Sequence, residues 1–441
     1  VLTDAGKLAE GSAKALTDQS AEKAVTVFNS LGFARKELVS LPECFASGAE
    51  TADGEPIPVQ AAQGTVKALV TIPSCGAVTL VPCETAGSLP EGASIAVTED
   101  GYRMENALIA AEINRNGEVT SFVLKGSGRE FAASPMNRFR MYKDVPRMFD
   151  AWDIDSNYVD QEVEAAADIT TEILAEGLEA VLRVKGRIGS SFFTQDIRLR
   201  ADSRRLEFET EIDWRELHRL LKTVFPADVY AENGINEIQF GYVERPAHRS
   251  RQYDKDRFEV CNHRYSALCD GSHGAAVLND CKYGISMNAN ALELTLLRAA
   301  ASPEMRADNK IHRFTYGFTA WEGSFTDSDV VKQGYELNVK PLITAGSTKT
   351  FRAVQVEKEN VILDTLKPAE DGSGDLILRL YESKKASVST RVACGFGGCR
   401  AYLCDMLENA EEEIPMENGG IRLEFKAFEV KTVRVQTGLH T

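Results

Sequence analysis

The sequence predicts a mainly β protein, built of antiparallel β-sandwich domains behind a short helical N-terminal tail. Three observations carry this. Leu206, Phe208, Thr210, Ile212 and Trp214 alternate with Glu207, Glu209, Glu211 and Asp213, the period-two pattern of a strand with one buried and one wet face. Many short β-prone runs are separated by Gly, Pro, Asn and Asp. After residue 25 there is almost no sustained helical period, which favours packed antiparallel sheets.

Four segments follow in order. Residues 1–24 are rich in Ala, Lys, Glu and Leu and predict one or two short helical turns, interrupted by Gly6 and Gly11. Residues 25–98 predict a small β domain: Val25 to Asn29 and Leu38-Val39 are β-prone, and Val66 to Ile72 and Ala77 to Pro82 flank a Pro73 to Gly76 turn as in a small antiparallel sheet. Residues 99–357 predict the largest domain. It opens with two runs about Asn114-Arg115-Asn116-Gly117, a hairpin signal. It continues through strands near 180–185, 192–199, 237–243, 292–297 and 312–318. Residues 358–441 predict a C-terminal β domain, with Leu376, Leu378 and Leu380 alternating against Ile377, Arg379 and Tyr381. Ile421, Leu423 and Phe425 share a parity that Phe428 and Val430 reverse, so a bulge near Ala427 is expected.

Composition narrows the function. A chain of 441 residues accommodates two or three domains, and its 43% hydrophobic and 26% charged residues are ordinary for a folded protein. The formal net charge of -16 repels phosphate backbones and anionic lipid heads, which disfavours nucleic acid and membrane partners and suits a neutral substrate such as a sugar. Nine scattered cysteines lack a disulfide framework and favour a reducing cytoplasmic setting. No apolar run approaches the roughly 20 residues that span a bilayer. The start at Val1 suggests processing or a piece of something longer.

Several blocks resemble the C-terminal half of the class II α-mannosidases, family 38 of the glycoside hydrolases. They include Val27-Phe28-Asn29-Ser30-Leu31, Met104-Glu105-Asn106, Asp144-Val145-Pro146 with Phe149-Asp150-Ala151-Trp152-Asp153-Ile154, and Glu237 through Arg249. Leu278 through Gly284, Leu294 through Arg298, Lys367 through Asp371 and Phe428 through Thr432 continue the series in colinear order over nearly the whole chain. The resemblance implies that the largest domain is a galactose-mutarotase-like supersandwich. It also implies that zinc, its His and Asp ligands and the nucleophilic Asp belong to an N-terminal catalytic domain whose motifs are missing here, so this chain carries no cofactor of its own and no catalytic residue. The implied partners are that catalytic domain and a mannose-containing oligosaccharide, and a homo-oligomer is compatible with both.

The candidate residues for a substrate cleft or a domain contact each have a structural alternative. Arg298 continues the face of Leu292, Leu294 and Leu296, so it must pair internally, with Asp280 as a reasonable partner, or leave the rim toward a sugar as the resemblance implies, with Lys282 and Tyr283 assisting. Trp152 can stack on a sugar or sit in a core. The segment Glu244 to Arg264 packs Arg245, His248, Arg249, Arg251, Arg257, His263 and Arg264 among aromatics, which reads as a functional loop, an inter-domain contact or an internal salt-bridge network. The six histidines lack zinc-motif spacing. Two other classes of function compete with the accessory role: a stand-alone carbohydrate-binding protein, and an aldose epimerase, to which only the fold points.

Overall fold

The computed structural model describes residues 2–437 except 63, 86, 89 and 90. The chain forms two compact units, one of residues 1–89, 239–241 and 339–441, the other of 90–238 and 242–338.

The first unit begins with one helix, Leu2–Ala15. Gly6 and Gly11 lie inside it facing open space rather than interrupting it. A glycine in a helix costs about 1 kcal/mol against alanine, which weakens a helix without ending it. Val25–Asn29 then pairs with Gly76–Pro82 on one side and with Leu342–Ala345, from the stretch 99–357, on the other. The runs 66–72 and 77–82 are both strands, but they fall in different sheets: Thr65–Ile72 pairs with Arg35–Leu41 and Val59–Ala62. Val27, Val39, Phe45, Val70, Ile72, Val78 and Leu80 form a common core cluster. The Pro73 to Gly76 turn therefore carries the chain between sheets instead of closing a hairpin.

The parity change at the C-terminal end has the same cause. Gly420–Phe425 belongs to a four-stranded sheet and Val430–Gln436 to a five-stranded one. The chain turns between them with Phe428 at φ +57° and makes no bulge within one strand. Val354, Leu378, Leu380, Ile421, Leu423, Val433 and Val435 share the core. Phe240, a short insertion from the middle of the sequence, sets its ring edge-on to Tyr381 at 5.5 Å.

The second unit contains a five-, a six- and a nine-stranded antiparallel sheet whose apolar faces form one core cluster. The hairpin at 109–124 forms as its turn chemistry predicts, with Gly117 at φ +80° and the Asn114 carboxamide oxygen accepting from the amides of Asn116 and Glu118. Leu206, Phe208, Ile212 and Trp214 are buried as their alternation requires. Phe208 stacks on Tyr316 and Phe225 on Phe318, with centroids 5.1 and 5.5 Å apart. The run 237–243 is not one strand: Asn233–Ile238 and Gly241–Pro246 are separated by a turn at Phe240, which has φ +58°. Among the described residues no helix is long and apolar enough to cross a membrane.

Candidate functional site

The six-stranded sheet runs Glu162–Val163, Arg138–Lys143, Arg219–Pro226, Ala291–Arg298, Gly284–Asn288, Val260–Cys261. One face meets the core through Leu221, Phe225, Leu292 and Leu294. Leu297 stands opposite Leu221 whereas Thr295 stands opposite Lys222, so Leu296 is an extra residue, a bulge. A bulge reverses the side-chain alternation beyond it. Leu296 and Leu297 both stay in the core, and Arg298 is delivered to the opposite face, across from Leu220.

There Arg298 finds its partner in Asp144, not Asp280. Its Nε donates to Asp144 Oδ2 at 2.7 Å, and the Asp144 side chain is only 3% exposed. Nη2 donates to the carbonyls of Asp153 at 2.6 Å and Asp150 at 3.3 Å, and Nη1 to that of Ala151 at 3.5 Å. The guanidinium therefore grips the backbone on both sides of Trp152, using the planar fork of donors that distinguishes arginine from lysine. The Asp150 carboxylate closes the other end of the loop, accepting from the amides of Ala301 and Ser302 at 2.7 and 3.0 Å and contacting His218 Nε2 at 3.0 Å. Burial pushes the Asp150 pKa upward, but the Ala301 amide and His218 outweigh it and hold the carboxyl below the ordinary aspartate value.

The gripped loop presents apolar side chains to solvent. Val145 is 51% exposed, Met148 63%, Phe149 57% and Trp152 79%, so Trp152 is no core residue. Phe149, at φ +52°, stacks on Trp152 with centroids 5.9 Å apart. Arg147 stands among them with its Nε 3.4 Å from Asp155.

Beneath, on the same sheet face, the wholly buried Lys222 pairs with Glu259. Tyr158 donates to Glu259 Oε1 at 2.6 Å, and its ring lies 5.7 Å from the Lys222 ammonium. Burial and then the Glu259 charge raise the Tyr158 pKa, so the phenol stays a donor. Arg140 joins Glu162 to Glu293. These contacts tie the chain after the loop to the sheet.

The other sequence-derived candidates lie in different settings. Asp280 Oδ2 accepts from the Thr315 amide at 2.9 Å and borders a cavity of about 450 Å³ with Arg183, Asp196 and Arg313. Lys282 sits 4.4 Å over the Phe314 ring, and burial lowers its pKa. Tyr283 is half exposed and meets His263 edge-on at 6.0 Å. Arg245 donates to Asn236 Oδ1 at 2.7 Å and to the Cys261 carbonyl at 3.1 Å. His248 lies 3.8 Å from Asp254 and borders a cavity of about 640 Å³ with Tyr230 and Glu232. Of the eight candidates, Arg298 grips the loop that carries Trp152, and His263 and Tyr283 touch. Sequence reasoning passed over Asp144, Asp150, Val145, Met148 and Phe149 as site residues. The signal available was four large apolar residues within eight positions of a Pro- and Asp-containing stretch with no strand alternation. Among the described residues no group of three or more His, Cys, Asp or Glu is placed to hold a metal ion.

Comparison with known proteins agrees with this architecture. Residues 104–306 match the glycosyl hydrolases family 38 C-terminal domain, and 360–433 match the glycosyl hydrolases family 38 C-terminal beta sandwich domain. Alpha-mannosidase 2C1 of Homo sapiens is 34% identical over 386 residues, which is 82% of this chain and 36% of that protein. The Mus musculus protein of the same name is 32% identical over 93% of this chain and 40% of its own length. The chain thus spans well under half the length of these relatives. An alpha-mannosidase structure from Enterococcus faecalis superposes with a TM-score of 0.76 at 15% identity, covering 97% of this chain and 58% of that one, a likeness of fold. The chain belongs to the C-terminal β region of glycosyl hydrolase family 38.

Proposed function

We propose that this chain is the accessory portion of a longer, cytoplasmic, retaining α-mannosidase that removes terminal α-mannosides from glycans. The observation that carries the reading is the match to the family's C-terminal domains along both 104–306 and 360–433, in relatives named alpha-mannosidase that are more than twice as long as the part matched. On this reading the sheets of the second unit form a galactose-mutarotase-like supersandwich. Its role is to buttress the catalytic domain and wall its cleft. Zinc and the reacting carboxylates belong to that domain, and the chain alone turns over no substrate.

The test supplies zinc and an aryl α-mannoside to this chain and to the longer polypeptide. Release of the aryl group only by the longer protein is expected. Turnover by this chain alone overturns the accessory reading. Mannoside affinity without turnover in the isolated chain favours a stand-alone carbohydrate-binding protein instead.

A further inference from the structure

We propose that the loop 145–152 is the surface on which the N-terminal catalytic portion of the same polypeptide docks. This rests on the functional reading above and names the contact through which the buttressing acts. Four observations on the loop converge. Val145, Met148, Phe149 and Trp152 are each more than half exposed within eight residues, a concentration of apolar surface that marks an interaction site. Trp, Phe, Met and Arg, here with Arg147, are the residue types enriched at interface centres. Arg298, Asp144 and Asp150 hold the loop, so its apolar tip is offered in a fixed shape and binding forfeits little conformational entropy. Finally, the chain aligns with only 36–40% of the length of its mammalian relatives, so in those proteins most of the polypeptide lies outside the matched part. A sugar is the poorer occupant: Val145 and Met148 have no flat face for a pyranose, and the carboxylates of Asp144 and Asp150 are spent inward on Arg298, Ala301 and Ser302.

Hydroxyl-radical footprinting with peptide mass spectrometry reads the side chains of Met148 and Trp152 directly. Both are expected to be oxidised at least tenfold more slowly in the longer polypeptide than in this chain, whatever the protein concentration and with or without methyl α-mannoside. Unchanged oxidation in a longer polypeptide that hydrolyses the aryl mannoside overturns the docking and leaves the enzyme reading standing. Protection in an inactive longer polypeptide does the reverse. Protection of this chain alone that grows with concentration would show a second copy to be the occupant, and protection that needs mannoside would show a sugar; either overturns the proposal. As a second measurement, the double variant Phe149→Asn with Trp152→Ser, in which Asn tolerates the left-handed backbone, should leave the melting of this chain unchanged. In the longer polypeptide it should split one cooperative unfolding transition into two, and retention of a single unshifted transition counts against the contact.

Discussion

Two segments of the second unit invite a functional role, and they use their residues in opposite ways. The stretch Glu244 to Arg264 is dense in cations, yet the structure turns several of them inward. Arg264 pairs with Glu237 at 2.6 Å and covers the Tyr335 ring at 3.6 Å, and Arg245 binds Asn236 and Cys261. The loop 144–155 contains the apolar residues expected of a core, and it turns them outward while the Asp144 carboxylate and three loop carbonyls are taken by Arg298. In the first segment charge serves architecture. In the second, architecture displays apolar surface.

The strongest way to break this contrast is Arg298→Met. It leaves the Asp144 carboxylate, 3% exposed, without its guanidinium partner and releases three carbonyls. Removing one partner of a buried ion pair costs roughly 3–5 kcal/mol. Urea unfolding should show that loss, with new protease cleavage between 145 and 153. Stability within 1 kcal/mol of the parent, on the order of a surface pair, would mean that the loop holds itself.

Arg264→Met tests the other half of the contrast. Glu237 is 3% exposed and would lose its guanidinium partner, a loss of about 2–4 kcal/mol, tempered by the partial exposure of Arg264 itself. If the charged segment existed for binding rather than folding, chemical denaturation would instead leave this variant close to the parent.

How far the sequence reveals these features depends on the range of the determinants. The alternation at 206–214 and the Asn116-Gly117 turn are local, and both are legible. Arg298 is misplaced by counting parity because one extra residue, Leu296, reverses the face, and nothing in Leu-Thr-Leu-Leu-Arg distinguishes a bulge from a regular strand. The assignment of 66–72 and 77–82 to one sheet fails likewise, since a turn between sheets uses the same Pro and Gly chemistry as a hairpin. Trp152 is ambiguous because burial depends on Arg298, which is 146 residues away and bonded to its neighbours. Family membership is the most legible property, carried by blocks in colinear order over nearly the whole chain and matched at 104–306 and 360–433.

The Asp150 end of the loop supplies a smaller, pH-dependent test. Its carboxyl titrates below the ordinary value in the folded protein, so its contribution to stability is fully present above the unfolded pKa of about 3.9 and is lost as pH falls through the lowered native value. Amide exchange at Ala301 and Ser302, whose N–H groups it accepts, should accelerate in that acid window beyond the intrinsic rate. Asp150→Asn should remove the extra pH dependence. A variant that keeps it would transfer the effect to another carboxylate.

The smallest expected effect sharpens the comparison most, because it separates what holds the loop from what the loop displays. Arg147 has a side chain 90% exposed and meets Asp155, itself 28% exposed, at 3.4 Å. An ion pair in such contact with water contributes about 0–1 kcal/mol, and less in salt. Arg147→Ala should therefore shift the unfolding free energy of this chain by under about 0.5 kcal/mol, with no added cleavage in the loop, although it lies in the same loop whose Arg298 anchor costs several times more to remove. A loss comparable with that of Arg298→Met would show that the loop is fastened from its solvent side. The polarity assigned to it, clamped beneath and apolar above, would then be wrong.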